Sequence, residues 1–472
     1  MSKFYITSAI PYVNATPHIG HALEFIQADT IARFHRIIGD DVLYLCGSDE
    51  NAIKNVQAAE KAGKSIQEFV DENARLFEET AKKLNVHFDV FQKGSDKKRH
   101  FVASQKLWEL CNKNGDIYKK SYKGLYCIGC EEFKTADELN EKNECPEHPG
   151  NPLEEVEEEN YFFRLTRYQD QLLKIITANE YEIVPEFRKN EIISFIKGGL
   201  QDFSISRSNQ RAKNWGVPVP NDPSQRIYVW FDALNIYQSG IGFGWDEEMY
   251  NKWWPADLHV IGKGIIRFHA VYWPAILLSA GLKLPKKLFV HEYFTVKGQK
   301  MSKTLGNVIN PVDIVEKYGT DALRYYCLAK ISPFQDGDFS EEKLKEAYNA
   351  DLANGLGNLV ARIAKLAENN NLIWEDKQEN LDKRIKDLIN EFKFNTALEL
   401  IWQKIAKIDK QLNYTQPWTL KQNEAREILS DIIQQIRNIA FNLQPFLPET
   451  SEKILSQFWG EIKSATPLFP RI

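Results

Sequence analysis

Short apolar runs alternate with longer helical patterns along the first 115 residues of the chain. Residues 4–10 and 41–47 are apolar and contain β-branched and aromatic side chains, so each run predicts a buried strand. Residues 22–38 carry apolar side chains at helical spacing, and further helical patterns follow at 52–63, 65–84 and 100–115. This alternation is typical of an α/β fold with a parallel, doubly wound sheet.

The pattern changes after residue 115. Residues 116–225 are irregular and rich in charges and turns, and the acidic run at 154–159 is interpreted as a solvated loop. Strand patterns return at 227–230, 257–262 and 288–291, whereas residues beyond about 340 show only helical periods. The chain is therefore expected to combine a Rossmann-type sheet with an insertion and an all-α C-terminal helix bundle. The expected parts are 1–115 and 226–295 for the two halves of the sheet domain, 116–225 for the insertion, 296–345 for a linker region and 346–472 for the helical domain.

Composition and charge narrow the class of protein. The chain is 43% hydrophobic and 26% charged with a net charge of −5, so an RNA partner would be held by local groups rather than by a global basic field. The longest apolar stretch, near 270–281, contains Pro274 and is too short to span a bilayer. The first residues lead directly into a strand pattern without a targeting segment. We therefore expect a cytoplasmic protein that does not enter a membrane.

The junction between the first strand and the first helix, residues 11–21, contains two histidines, His18 and His21, and a glycine, Gly20. We call this segment the histidine turn. Free backbone N–H groups and the positive end of a helix suit a phosphate at such a junction, and imidazoles add further donors. Taken alone, these residues fit an ordinary exposed turn equally well.

A second polar stretch, residues 296–307, contains Lys300 and Lys303 between glycines. It follows the last predicted sheet strand, so it is expected at the same carboxyl edge of the sheet as the histidine turn. Ammonium groups there could neutralise charge on a phosphorus atom under in-line attack. A solvated basic loop is the alternative for the lysines alone, and their pairing with the histidine turn argues against it.

Metal-ligand spacing marks the predicted insertion. Cys127 and Cys130 form one closely spaced pair, and Cys145 and His148 form another. Three thiolates and one imidazole match a closed tetrahedral zinc site, and four protein ligands leave no open position for chemistry. We therefore expect a structural Zn²⁺ that helps to fold the insertion. The alternative is a set of reduced cysteines without a metal.

Two of these stretches match known signatures. His18-Ile19-Gly20-His21 and Lys300-Met301-Ser302-Lys303-Thr304 are similar to the HIGH and KMSKS signatures of class I aminoacyl-tRNA synthetases. More narrowly, the chain resembles the methionyl-tRNA synthetases with a single zinc knuckle. The resemblance covers essentially the whole chain and is carried further by residues 9–12, 228–233, 268–274 and 321–326.

The resemblance implies a methionine–tRNA ligase. Such an enzyme activates L-methionine with Mg²⁺-ATP to methionyl-adenylate and transfers it to the 3′ adenosine of initiator and elongator tRNA-Met, with no covalent nucleophile. His18, His21, Lys300 and Lys303 would be catalytic, and the implied ATP-binding residues are His18, Gly20, His21, Glu24, Gly262, Lys300 and Lys303. A monomer is expected, because no dimerisation module is recognisable after the helical region.

The resemblance also implies two binding surfaces. Asp49 would pair with the α-ammonium group, and aromatic rings suit a thioether; the methionine pocket would comprise Ala9, Ile10, Tyr12, Asp49, Trp230, Tyr237, Ile265, His269 and Trp273. Ordinary core packing is the alternative for the two tryptophans. In the helical domain the anticodon would be bound by Asn358, Arg362, Pro417 and Trp418, with polar groups for base edges and an indole for stacking. A solvated helix surface is the alternative there.

Three positions depart from the family pattern. Thr304 stands where serine is usual, and its hydroxyl is retained. Gly264 stands where an aspartate commonly holds the ATP ribose, so ribose recognition is left to the backbone or to Glu24. Asn51 stands where histidine is usual, which would alter a hydrogen bond near the adenylate.

The sequence also allows two alternative functions. One is a class I synthetase for valine, isoleucine, leucine or cysteine, but the small zinc-type insertion differs from a large editing domain and from a metal at the amino-acid site. The other is a non-catalytic tRNA-binding paralogue, which Gly264 favours and the retained signatures oppose.

Overall fold

The computed structural model describes residues 2–130, 132–134, 138–296, 298–301, 306–376 and 379–472. The chain forms two compact units. The first unit contains the residues up to Pro17, Asp41–Glu79 and Phe88–His291, and the second contains His18–Asp40, Thr80–His87 and Glu292–Ile472. This division is coarser than the five predicted parts, whose boundaries stay predictions.

The strands and helices alternate in the first part of the chain and give way to helices later. The strands are β1 Lys3–Ser8, β2 Asp41–Ser48, β3 Val90–Lys93, β4 Ile117–Cys127, β5 Glu132–Lys134, β6 Glu154–Phe163, β7 Glu182–Val184, β8 Phe203–Ser204, β9 Ser206–Ser208, β10 Pro218–Val219, β11 Asp222–Ile227, β12 Leu258–Gly262, β13 Lys287–His291, β14 Phe294–Val296, β15 Gln299–Lys300, β16 Gly337–Phe339, β17 Ile373–Trp374 and β18 Gly460–Glu461. The α-helices are α1 Ile19–Ile37, α2 Ile53–Lys61, α3 Ile66–Lys83, α4 His100–Lys113, α5 Gln169–Thr177, α6 Glu186–Lys197, α7 Asn209–Ala212, α8 Val229–Ala233, α9 Ile236–Ser239, α10 Glu247–Trp253, α11 Trp273–Ser279, α12 Pro311–Tyr318, α13 Thr320–Tyr325, α14 Glu341–Ala347, α15 Asn358–Asn369, α16 Lys383–Asn390, α17 Phe394–Thr415, α18 Gln422–Leu443 and α19 Pro448–Gln457.

The central sheet lies in the first unit and orders its strands β3-β2-β1-β12-β13-β7. Every neighbouring pair in it is parallel, which confirms the predicted doubly wound sheet. β12 is buried along its whole length, because apolar elements cover both faces of such a sheet. The strand order reverses between β1 and β12, and ligands of open α/β sheets bind beside the carboxyl ends of the strands at such a point.

Two parts of the sheet domain differ from the sequence prediction. β7 is an edge strand of the central sheet, although its residues fall inside the predicted insertion. The strand predicted at 227–230 is wrong, because Ile227 ends β11, which pairs antiparallel with β9, and Val229 begins α8. A short apolar run cannot be distinguished from a buried helix by periodicity alone.

The insertion contains an antiparallel sheet of order β5-β4-β6-β8. The acidic run at 154–159 is part of β6 rather than a loop. Its glutamates lie beside lysines of β4, with Lys119 and Glu159 3.9 Å apart and Lys123 and Glu155 3.4 Å apart. Opposite charges on paired strands favour the pairing, although pairs as exposed as these contribute little.

The second unit is mainly helical, which confirms the predicted C-terminal helices, and it adds a short antiparallel pair of β17 and β18. Arg324 is its buried centre. The Arg324 guanidinium lies 2.8 Å from the Asp29 carboxylate, and it donates to the carbonyl oxygens of Leu84, Pro445 and Phe446. A fully satisfied buried charge of this kind ties α1 to the helices. Among the described residues, no helix combines the length and apolar character that crossing a membrane requires.

Candidate active site

The nine predicted pocket residues all belong to the first unit, and most follow the carboxyl ends of β1, β2 and β12. Two of these segments meet directly. Tyr12 and Asp49 form an isolated parallel bridge, and the Asp49 N–H donates to the Pro11 carbonyl oxygen at 2.9 Å. The Asn55 amide donates to the Asp49 carbonyl oxygen at 2.8 Å. The backbone of Asp49 is thus held from both sides, and its side chain is buried.

An aromatic wall lies in the same unit. Trp230 of α8 stacks on Phe268, with ring centroids 3.7 Å apart and planes 6° from parallel. The Tyr12 ring meets Trp230 edge-on, with centroids 6.1 Å apart and planes at 85°. Phe268 was not among the predicted pocket residues, although it directly precedes His269 in the family-like stretch at residues 268–274. A stacked pair of this kind offers a polarizable surface to a sulfur atom.

His269 and Tyr237 form a neutral polar pair. The Tyr237 hydroxyl oxygen lies 2.8 Å from His269 Nε2, and His269 Nδ1 lies 3.0 Å from the Ile265 carbonyl oxygen. A carbonyl can only accept, so Nδ1 carries the proton and Nε2 accepts from the tyrosine. Burial lowers the pKa of His269 to about 4, against the opposing hydrogen bond to Ile265. Trp273, also predicted, is fully buried and packs edge-on against Trp254.

The last part of the histidine turn, from His18 to His21, begins α1 in the second unit, whereas residues 11–17 belong to the first unit. His18 is the residue that caps α1, and its Nδ1 accepts from the Gly20 N–H at 3.1 Å. In return His21 Nδ1 accepts from the His18 N–H at 3.1 Å, and the two rings stack with centroids 3.8 Å apart. This reciprocal arrangement is a capping box built from two imidazoles.

The caps determine which nitrogen of each ring can donate. Because Nδ1 accepts in both His18 and His21, a neutral ring must carry its proton on Nε2. Burial, and secondarily the neighbouring His18, hold the pKa of His21 well below its usual value. The turn therefore presents Nε2–H donors that carry no full charge at the positive end of a helix.

Part of the polar stretch at residues 296–307, which we call the lysine loop, lies beside His18–His21 within the second unit. A Cβ atom added to Gly20 would lie 2.9 Å from His18 Cε1 and 3.3 Å from Met301 Cε, so glycine lets the turn and the loop approach closely. The Ile19 N–H donates to the Ile309 carbonyl oxygen at 2.9 Å. Lys303 and the Lys300 side chain fall outside the described residues. Of the remaining ATP-binding predictions, Glu24 is buried on α1 and Gly262 ends β12 in the first unit.

The predicted metal ligands are brought together in the first unit. Cys130 Sγ lies 3.5 Å from Cys145 Sγ and 3.3 Å from His148 Nδ1, and the Sγ atoms of Cys127 and Cys145 lie 3.8 and 3.9 Å from that nitrogen. Ligands of a tetrahedral zinc ion are about 3.5–3.8 Å apart, and these four ligand atoms all lie within 4.8 Å of one another, so small shifts would let them bind such an ion. The site also requires a glycine at position 129, which was not predicted, because a Cβ atom there would lie 2.5 Å from the His148 ring.

Burial affects the protonation of the three thiols. Burial raises the pKa of Cys127 and of Cys130, so these thiols keep their protons unless a cation displaces them. Burial acts in the same direction on Cys145, but hydrogen bonds from the other two thiols outweigh it and lower its pKa. The Cys130 carbonyl oxygen also lies 3.5 Å from Trp230 Nε1, so the metal cluster adjoins the aromatic wall.

The predicted anticodon residues lie on the second unit. Asn358 begins α15 and is exposed, and Arg362 follows one turn later. The Arg362 guanidinium donates to Asp409 Oδ1 at 2.7 Å and to Asn413 Oδ1 at 2.8 Å, two contacts that the sequence analysis had not identified.

The end of α17 presents aromatic rings. Gln416 adopts a left-handed conformation that ends the helix, and Pro417–Thr419 form a 3₁₀ turn. Trp418 is 49% exposed there, and Tyr414 of the last turn of α17 is 90% exposed. Tyr414 was not among the predicted anticodon residues, because one tyrosine in a polar helix end is not distinctive.

Comparisons with known proteins show which family the chain resembles over its whole length. A family model described as tRNA synthetases class I (M) matches residues 4–364. A methionine–tRNA ligase of Thermotoga maritima is 43% identical over all of this chain and 80% of its own length, and one of Nostoc sp. is 40% identical over 96% of this chain and 89% of its own. A solved structure of Mycobacterium tuberculosis methionyl-tRNA synthetase in complex with methionyl-adenylate has a TM-score of 0.93 and 38% identity, with both chains fully covered.

Proposed function

The chain belongs to the class I tRNA synthetases of the methionine type, and from that premise we propose how its own residues carry out methionine–tRNA ligation. The reaction has two steps. The methionine carboxylate attacks the α-phosphorus of ATP, which enters with Mg²⁺, and pyrophosphate leaves. The hydroxyl of the terminal adenosine of tRNA-Met then attacks the carbonyl carbon of the adenylate, and AMP leaves.

The observation that carries the proposal is the pocket around Asp49. A buried carboxylate, held by its backbone next to Tyr12, suits one ammonium group. The stacked rings of Trp230 and Phe268 suit a thioether. His269 is neutral at physiological pH, so it brings no charge to the side-chain pocket. An amino acid with an apolar, polarizable side chain satisfies all three features.

Phosphate recognition is assigned to the histidine turn and the lysine loop. The Nε2–H groups of His18 and His21 would donate to phosphate oxygens, and Gly20 permits close backbone approach. Lys300 and Lys303 would neutralise the charge that develops as pyrophosphate leaves. Ribose recognition falls to the backbone or to Glu24, since residue 264 is a glycine.

The cysteine–histidine cluster would hold Zn²⁺ in a structural role. All four ligands come from the protein, so the site is closed to substrate. The metal supplies folding free energy to a small polar insertion. The anticodon of tRNA-Met would be bound by Asn358, Arg362, Pro417 and Trp418, with the exposed indole as a stacking surface.

Methionine-dependent exchange between ATP and pyrophosphate tests the assignment. We expect exchange with methionine and only background exchange with isoleucine, valine, leucine or cysteine, because only methionine meets the aromatic wall with a thioether. Exchange with another of these amino acids would assign a different class I synthetase. Background exchange with all five amino acids would instead support a non-catalytic tRNA-binding paralogue. Prolonged chelation should release about one equivalent of zinc and lower the thermal stability of the protein.

A further inference from the structure

A buried carboxylate connects several parts of the amino-acid pocket. Asp232 lies on α8, two residues after Trp230, and is 1% exposed. Its Oδ1 accepts from His100 Nε2 at 2.7 Å and from Ser104 Oγ at 2.9 Å. Its Oδ2 accepts from the Asn51 amide at 2.6 Å. A charge this deeply buried is stable only when such donors surround it.

Asn51 is the member that reaches the ammonium side of the pocket. It lies two residues after Asp49, and its amide nitrogen also donates to the Gly94 carbonyl oxygen at 2.8 Å, so both amide hydrogens are used. Gly94 packs tightly on the same segment, since an added Cβ atom would lie 2.9 Å from the Ser48 carbonyl oxygen. The segment that carries Asp49 is therefore fixed to β3 and to α8.

The other end of the network reaches α9. His100 Nδ1 lies 2.8 Å from Ser239 Oγ, and Ser239 is the last residue of the helix that carries Tyr237. One carboxylate thus joins the segments of the predicted ammonium partner, the aromatic wall and the tyrosine–histidine pair. None of the network residues was among the predicted pocket residues.

We propose that the Asn51–Asp232 hydrogen bond sets the separation between Asp49 and Trp230, and that Asn51 and Asp232 are positioning residues for methionine. This proposal rests on the proposed function. Asp49 would contact the ammonium group of methionine and Trp230 its side chain, so the distance between these two residues determines which amino acid is bound. We call the Asn51–Asp232 hydrogen bond the strut. It positions groups that already contact methionine before the reaction begins, so its loss weakens methionine binding more than it slows the chemical step.

Removal of Asn51 tests the strut without removing the whole network. In Asn51→Ala, His100 and Ser104 still donate to Asp232, so the fold should persist. A lost hydrogen bond to a buried charge predicts an increase of about tenfold in the KM for methionine in the exchange reaction and in the Kd measured by tryptophan fluorescence. The KM for ATP and kcat should change by less than about threefold. In Asn51→His an imidazole N–H can replace the amide donor, so methionine binding should recover most of this loss.

Asn114→Ala is the matched control. It breaks another amide–carboxylate bond of the same unit, between Asn114 and Asp116 at 2.7 Å, and should leave methionine binding unchanged. Unchanged methionine affinity in Asn51→Ala, or an equal loss in the control, would overturn the strut. If Asn51→Ala does not fold, Asn51→Ser, which is too short to reach Asp232, decides between the same outcomes. A wild-type protein that binds methionine but does not exchange pyrophosphate would reject the proposed function instead, and the Kd values would still test the strut.

Discussion

The first unit holds the Trp230 indole 8% exposed and stacked on Phe268, whereas the second unit leaves Trp418 49% exposed at a turn between two helices. A tryptophan side chain is therefore buried and held by packing in the first unit, and it is accessible to solvent in the second. A small ligand is selected by the spacing of groups that other side chains hold in place. A nucleic-acid base brings its own flat surface and needs an accessible partner for stacking. We therefore expect single changes in the pocket to cost more than single changes on the helical surface.

Asp49→Ala is expected to have the largest effect. It removes the buried carboxylate that would pair with the ammonium group, and loss of one partner of a buried ion pair costs about 3–5 kcal/mol. In the exchange assay this corresponds to a fall in kcat/KM of roughly 10²- to 5 × 10³-fold, while tRNA affinity in a filter-binding assay stays the same. Asp246→Ala, which removes the cap of α10 in the same unit, is the control and should retain exchange. Normal exchange in Asp49→Ala would remove Asp49 from the pocket.

Trp418→Ala comes second. Stacking of one base on an aromatic side chain is worth about 1–3 kcal/mol, so we expect kcat/KM for charging tRNA-Met to fall at least about fivefold while pyrophosphate exchange is unchanged. Trp459→Ala removes another indole of the second unit, which is 40% exposed but lies outside the predicted anticodon surface. Equal charging by the two variants would contradict the assignment of Trp418, and a defect in exchange would show that the two units are not separable in this way.

Local patterns were sufficient for the features that depend on neighbours in sequence. β1, β2 and α1 follow directly from apolar periodicity, and the four metal ligands follow from two closely spaced pairs. The histidine turn was also recognisable, because a strand, a glycine and a helix occur in order. The detail that the two imidazoles cap each other was not, since it depends on the rotamers of His18 and His21.

Features that depend on distant partners were not predictable. The three-residue strand β7 is too short to show alternation, and it is defined by pairing with β13 about a hundred residues later in the chain. The role of Asp232 was not predicted, because it depends on hydrogen bonds from Asn51, which is 181 positions away, and from His100. Buried polar networks are assembled by the fold, so the sequence alone does not reveal which members meet.

Asp409→Ala is expected to have the smallest effect. The Arg362–Asp409 pair lies at the surface, with the two side chains 34% and 43% exposed, and such pairs contribute about 0.2–1 kcal/mol. Arg362 also retains its 2.8 Å contact with Asn413, so it keeps part of its orientation. Charging of tRNA-Met should therefore fall by no more than about fivefold, with exchange unchanged. Asp431→Ala, which removes an exposed acceptor on α18 for Gln411 and Gln435, is the control for a lost acidic group in the same helices. A loss above tenfold in Asp409→Ala alone would mean that this carboxylate contacts the RNA directly, and the helical surface would then depend on fixed polar groups as strongly as the pocket does.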